Sequence, residues 1–265
     1  MNASDLWPLV LSLRERAPLV QCITNFVAMD VTANVLLAAG ASPAMVHATE
    51  EVADFVQLGG TLSINMGTPS PDWVEGMMAA VSAAQTRGTS WVLDPVAVGA
   101  TPYRNAVAAG LLSFDPTVIR GNAGEIMTLA GRTCVTTKGV DSTQTAATAR
   151  DAAIALAAER RCVVAATGEV DIVTDGRRLI VLGNGHPLMT KVTALGCSLS
   201  ALIAAFLAVS DDPWAATAAA TAYFGVCGEL AAEGAAGPAS LRIRLIDLLY
   251  SLDAAAFDQR LKVMA

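Results

Sequence analysis

The sequence predicts an α/β fold with a mainly parallel central sheet, helices on both of its faces and an antiparallel edge hairpin. Three observations predict it. Short apolar runs of strand length alternate with helical segments through the first two thirds of the 265 residues, the pattern of strand-helix units that pair in parallel. Two later runs, at 170–174 and 178–182, are joined by Asp175-Gly176, a hairpin signal of the kind often found at the edge of a parallel sheet. The last third reads as helix, with an alanine bias that favours close packing.

Residues 1–16 read as a capped helix with an acid ahead of the apolar part and no basic leader. Pro18 leads into a buried strand at 19–23 that ends at Thr24-Asn25, and a helix through Val31, Val35 and Leu36 stops at Gly40. A short strand is expected at 43–46, a helix at 50–58, and a strand at 61–65 running into Met66-Gly67-Thr68. The pattern repeats with a helix at 71–87 that puts Trp73, Met77 and Val81 on one side, a strand at 91–93 ending in Asp94-Pro95, and a helix at 102–112. The next strand, 117–119, closes on Arg120-Gly121-Asn122 before a short helix through Glu125 and Leu129. A turn at 137–142 leads into a helix at 143–159, and a buried strand at 162–166 ends at Thr167-Gly168-Glu169. After the hairpin, an extended polar run turns at Thr193-Ala194-Leu195-Gly196-Cys197 into a helix whose Leu199, Ile203, Phe206 and Leu207 share one face. Helices at 212–229 and 240–252 complete the chain, the second preceded by Gly237-Pro238. With no linker or charge run to divide it, a single domain over 1–265 is expected. Trp73, Trp91, Trp214 and Phe224 read as packing residues.

Composition narrows the function. A net charge of −7 argues against nucleic-acid or anionic-membrane partners and leaves a small ligand. With 54% hydrophobic and 15% charged residues, the chain is apolar enough to suggest surface buried between subunits. No uncharged apolar run reaches the roughly 18 residues of a membrane span. The five cysteines are scattered and odd in number, a reducing-compartment pattern without a disulfide framework or zinc site. Two histidines supply neither a His-rich metal site nor a His-dependent triad well. Neither a P-loop nor a dinucleotide fingerprint is present.

The chemistry is expected at the turn 193–197. Unpaired N–H groups at a helix start attract phosphate or a developing oxyanion, and small residues such as Ala194 and Gly196 admit a ligand to that backbone. A cysteine in the first turn sits in positive potential, which lowers its pKa and makes Cys197 a base or a nucleophile; the plainer reading is a small inert core residue. Ligands of open parallel sheets bind beyond the carboxyl ends of the strands. Asn25, Asp94, Arg120 and Asn122 each follow a strand and could share one rim. Asn122 and Glu125 have the spacing of a helix cap as well as of a site.

In order, Ile23-Thr24-Asn25, Asn65-Met66-Gly67-Thr68, Leu93-Asp94-Pro95-Val96, Arg120-Gly121-Asn122-Ala123-Gly124-Glu125, Thr167-Gly168-Glu169-Val170-Asp171 and the stretch 191–197 closely resemble the hydroxyethylthiazole kinase family, over about 18–249. The resemblance implies a ribokinase-like fold and a homotrimer with sites between subunits, and the cysteine pattern points to the cytoplasm. It implies phosphorylation of 5-(2-hydroxyethyl)-4-methylthiazole by ATP with Mg2+ in thiamine salvage. Residue by residue, it implies that Met45, Asn25, Gly67 and Ala194 meet the substrate and that Arg120, Thr167, Asn122 and Gly196 meet ATP. Asp94 and Glu125 would lie near magnesium, and Cys197 would stand where most ribokinase-like enzymes carry an aspartate base. The family usually reads Thr-Gly-x-Gly-Cys at the turn, where this chain has Ala194 and Leu195. Two other classes fit the same residues: a thiazole-binding protein that has lost catalysis or a kinase of another small hydroxylated heterocycle, and a cysteine hydrolase, which needs a histidine near Cys197.

Overall fold

The computed structural model describes residues 2–132 and 142–264. Cys134 and the turn expected at 137–142, all but its last residue, lie outside the described residues. The chain runs α1 (Ala3–Arg16), β1 (Leu19–Ile23), α2 (Met29–Ala39), β2 (Ser42–Ala44), α3 (Val52–Gln57), β3 (Thr61–Asn65), α4 (Pro71–Arg87), β4 (Trp91–Asp94) and α5 (Pro102–Leu112). It continues with β5 (Val118–Asn122), α6 (Ala123–Leu129), α7 (Ser142–Arg160), β6 (Val163–Thr167), β7 (Asp171–Thr174) and β8 (Leu179–Leu182). A 3₁₀ turn (Pro187–Lys191), α8 (Leu195–Leu207), α9 (Pro213–Glu233), α10 (Pro238–Ser251), α11 (Ala254–Arg260) and β9 (Val263–Met264) follow.

The strands form one nine-stranded sheet in the order β2-β1-β3-β4-β5-β6-β7-β8-β9. Pairing is parallel from β2 across to β6 and antiparallel from β6 to β9. Successive side chains of a strand point to opposite faces, so the sheet feeds two cores. Val92, Val118, Ala165 and Val173 enter one, with Leu6 and Leu13 of α1, Leu36 of α2, Phe206 of α8 and Tyr223 of α9. Leu93, Ile119, Val164 and Ile172 enter the other, with Val56 of α3, Met77 of α4, Leu111 of α5 and Leu156 of α7.

Several bounds differ from the sequence expectation. β2 is shorter and starts one residue earlier, because it is an edge strand held only by β1, through Leu19–Ser42 to Gln21–Ala44. α3 keeps only its central six residues. β5 continues through Arg120 to Asn122, where β6 supplies pairing up to Asn122–Thr167. The run after β8 is not extended: Pro187 opens a 3₁₀ turn that His186 caps, its Nδ1 accepting from Leu188 N at 3.1 Å. The sequence pattern does not predict α11 or β9; α11 is capped by Asp253 Oδ1, which accepts from Ala256 N at 2.8 Å, while β9 is too short to carry a periodic signal.

Strand order reverses between β1 and β3, since the chain first steps outward to β2 and then returns past β1. Crevices open beyond the strand ends at such points. A second break in pattern falls after β6, where pairing turns antiparallel. These two places carry the two halves of the site.

Candidate active site

At the first crevice, three strand ends are joined by a chain of amides. Asn65, the last residue of β3, donates from Nδ2 to Asp94 Oδ2 at 2.7 Å, and its Oδ1 accepts from Asn25 Nδ2 at 2.8 Å and from Gly67 N at 2.9 Å. Asn25 Oδ1 accepts from Val27 N and Ala28 N, both at 3.1 Å, which leaves its Nδ2 as the group turned toward the site. That nitrogen also donates to Cys197 Sγ at 3.4 Å. An ionised carboxylate can only accept, so the direction of every bond from Asp94 to Cys197 is fixed. Ser200, one turn beyond Cys197 on α8, adds a 2.8 Å bond to Asp94 Oδ2.

Asp94 is fully buried, and its other oxygen, Oδ1, has no protein partner. A buried acceptor left unmet is costly, so Oδ1 marks where a ligand atom belongs. Arg120 Nη1 stands 3.8 Å from Asp94 Oδ2, while its Nη2 donates to Thr167 Oγ1 at 2.5 Å. Arg120 thus bridges the two halves. A Cβ added at Gly196 would lie 2.6 Å from Arg120 Nη1, so glycine is what lets the guanidinium lie against the start of α8. Beyond Arg120 a cavity of about 570 Å³ opens between β6, the 3₁₀ turn and the helices α8 and α9, lined by Arg120, Thr167, Asp171, Met189, Gly196 and Phe224 among others.

Burial, followed by the nearby Asp94 charge, raises the Cys197 thiol above its ordinary value, against weaker opposing effects of Asn25, Asn65 and Arg120. The direction is opposite to the expectation that the helix start would enrich the thiolate, because Cys197 is half-buried and lies near the Asp94 carboxylate. Burial likewise raises the Asp94 carboxyl, although Arg120, Ser200 and Asn65 pull it down. Asp171 is pushed up to about 6, by burial first.

Of the residues expected on one rim, Asn25, Asp94 and Arg120 meet in this network. Asn122 does not join it. Its side chain accepts from Glu125 N at 2.9 Å while Glu125 Oε2 accepts from Asn122 N at 2.8 Å, a reciprocal cap on α6. Glu125 Oε1 accepts from Ala97 N at 2.8 Å, which ties α6 to the loop after β4, and its charge is felt at Asp94. Met45 lies just past β2, half-buried against the first core. Neither histidine hydrogen-bonds to Cys197: His47 stacks on Trp73 at 3.8 Å, and His186 caps the 3₁₀ turn. The hydrolase reading therefore lacks its base. Asn65 and Ser200 were missed as functional residues. Asn65 could have been found from its place at a strand end, and Ser200 from its spacing of three from Cys197, which puts both on one helix face.

Residues 10–255 match the model of the hydroxyethylthiazole kinase family. The chain belongs to the hydroxyethylthiazole kinase family. It is 56% identical over 254 residues to the hydroxyethylthiazole kinase of Cereibacter sphaeroides, covering 96% of both chains. The structure of the hydroxyethylthiazole kinase protein from Pyrococcus horikoshii OT3 superposes with a TM-score of 0.90 at 40% identity over 97% of each chain. The pyridoxal kinase from Staphylococcus aureus in complex with AMP-PCP and pyridoxal, at 14% identity, shares the fold with a TM-score of 0.58 over 80% of this chain and 88% of that one. The fold of this hydroxyethylthiazole kinase family member is thus ribokinase-like.

The left-handed turn at Ala194 has a physical cost. Ala194 has φ +66°, the left-handed region, where an L side chain costs roughly 1–2 kcal/mol. Glycine there loses part of that gain to chain entropy, so Ala194→Gly is expected to stabilise the protein by about 0.5–1 kcal/mol in denaturant unfolding. A variant less stable than its parent would mean that the methyl's packing against the core outweighs the backbone relief.

Proposed function

We propose that the chain phosphorylates the primary alcohol of 5-(2-hydroxyethyl)-4-methylthiazole with ATP, as a thiamine-salvage enzyme, and that Cys197 is its base. The observation that carries this reading is the bridge through Arg120: one guanidinium touches both the nucleotide-sized cavity and the network that ends at Cys197. ATP lies on the Thr167 side with its phosphates toward Arg120 and the first-turn amides of α8, and Gly196 admits them to that backbone. The alcohol lies on the Asn25, Gly67, Met45 and Ala194 side.

The hydroxyl oxygen forms a bond to the γ-phosphorus as the bond to the β,γ-bridging oxygen breaks, ADP leaves, and the hydroxyl proton passes to the thiolate of Cys197. Amides at the start of α8 and Arg120 face the charge on the transferred group. The transition state of such a transfer is loose, so positioning and charge neutralisation count for more than proton removal. A raised thiol is tolerable for that reason.

Mg2+ fits the residues present, because Asp94 Oδ1 is a buried acceptor without a partner. No cluster of three or more His, Cys, Asp or Glu among the described residues forms a cage, so Asp94 and Glu125 would hold the ion together with phosphate oxygens, the usual manner for magnesium. When bound it neutralises phosphate charge. Asn122 stands beside Glu125 as the cap of α6.

A homotrimer with sites between subunits accords with the exposed Phe26 and Val27, 63% and 58% accessible directly after Asn25. Light scattering that returned the monomer mass of 27.2 kDa at working concentrations would sink it. No helix among the described residues is long and apolar enough to cross a membrane. The free cysteines Cys22, Cys162, Cys197 and Cys227 suit a reducing cytoplasm.

The test is mass spectrometry of the protein with MgATP and the thiazole alcohol, beside a control lacking the alcohol. A thiazole-dependent monophosphate with ADP is expected. Intact ATP with bound thiazole would indicate a binding protein or a kinase of another alcohol. Asp171 supplies a pH test of the nucleotide side. Its carboxyl lines the cavity and titrates at about 6, so it is neutral below that pH and repels the triphosphate above it. The affinity for ATP should fall as pH rises through 6 in the parent and fall less in Asp171→Asn; identical profiles in calorimetric titrations would exclude the role.

A further inference from the structure

Arg104 occupies the first turn of α5, where its N–H is received by the capping Thr101 Oγ1 at 3.2 Å. A cation at the start of a helix opposes the helix dipole, and no carboxylate pairs with this guanidinium among the described residues. The compensation lies outside the helix. Nη1 donates to Met66 O at 2.8 Å and to Val96 O at 2.9 Å, and Nη2 donates to Gly67 O at 2.8 Å. One planar fork therefore fastens the loop after β3 to the loop after β4, a geometry that a lysine ammonium cannot reproduce.

The fastened loop touches the groups that face the alcohol. A Cβ at Gly67 would lie 2.6 Å from Asn25 Nδ2, so the two are packed without slack, and that nitrogen is the one that donates to Cys197 Sγ. Gly67 N also helps fix Asn65. On the other side, Val96 precedes Ala97, whose φ of +58° is held in place by the bond from its N–H to Glu125. The cavity beyond Arg120 includes neither Arg104 nor either loop it holds.

We infer that Arg104 is a positioning residue for the acceptor alcohol: by pinning the Met66-Gly67 loop against Asn25 it sets affinity for the alcohol far more than affinity for the nucleotide. The inference rests on the phosphotransfer reading above. It is tested with Arg104→Met and Arg104→Lys, by steady-state kinetics in each substrate and by calorimetric binding of the thiazole alcohol without nucleotide. Misplacement by about 1 Å can cost on the order of 100-fold, so Arg104→Met should raise KM and Kd for the alcohol by about tenfold or more. Arg104→Lys should raise them less, and KM for ATP should stay within about twofold in both. Equal changes in the two substrates, no change in either, or failure of both variants to fold would overturn the inference. A parent protein that neither binds nor phosphorylates the thiazole would bring down the kinase reading and this inference together. Parent turnover with unchanged alcohol affinity in Arg104→Met would bring down the inference alone.

Discussion

Arg120→Met is expected to lower kcat by on the order of 10³-fold, the scale of removing a preorganised charge donor from a transition state. The variant loses the bond to Thr167 Oγ1 and the charge beside Asp94. It is also expected to be less stable by about 3 kcal/mol at neutral pH, the lower end for stripping one partner from a buried pair, because Arg120 is 12% exposed and stands 3.8 Å away. The pH dependence has a definite sign. Burial already holds the Asp94 pKa above its unfolded value, and Arg120 is the largest influence pulling it down. Without Arg120 the folded pKa rises further. Stability is then greatest below the unfolded pKa, where Asp94 is protonated in both states, and is lost as pH rises through the folded value. The deficit of the variant against its parent should therefore be smallest in acid and grow toward neutrality, as read by paired denaturant titrations. A deficit independent of pH would mean that packing of the Arg120 stem, and not its charge, stabilises the site. Arg120→Lys keeps the charge but cannot fork between Asp94 and Thr167, so an intermediate loss of activity is expected.

The layered sheet was legible because alternation of strand and helix is a local signal, and Gly40, Pro71 and Pro102 punctuate it where helices end or begin. The rim was legible for a related reason: parallel strands present their carboxyl ends together, so Asn25, Asp94 and Arg120 fall on one rim once parallel pairing is granted. Their hydrogen-bond order was not legible. Nothing in the sequence says that Asn65 stands between Asn25 and Asp94, because that depends on the register Asn65–Asp94 across β3 and β4. Strand order also decided that β1 and β3 would be neighbours with β2 outside, and pattern alone does not carry it. The raised Cys197 thiol escaped for a different reason. A helix start is visible in sequence, but the depth of burial and the distant Asp94 that oppose it are tertiary facts. Arg104 carries no signal of its role in the sequence, since the three carbonyls it gathers belong to loops after two other strands.

Cys197→Ala is expected to lose on the order of 10²- to 10³-fold in kcat, within the range for a positioned base, with KM for ATP little changed because Cys197 is not among the residues lining the nucleotide cavity. In the parent, the raised thiol predicts that kcat/KM climbs with pH and reaches no plateau below the ordinary thiol value of 9.0. Cys197→Asp replaces that thiol by a group that ionises far lower, so the alkaline limb should vanish and activity at neutral pH should match or exceed the parent's. The substitution brings a second carboxylate toward Asp94, and like charges in a shared site raise one pKa; the Arg120 charge and the donor Asn25 Nδ2 limit that rise. The comparison separates two roles for the sulfur. If Cys197 takes the proton, Cys197→Asp is active with a flattened profile while Cys197→Ala is not. If the sulfur only fills space beside Asn25, Cys197→Ala and Cys197→Ser retain activity and all variants share the parent's pH dependence. If Cys197→Asp is as inactive as Arg120→Met, a carboxylate cannot replace the thiol, and Cys197 is not a simple base.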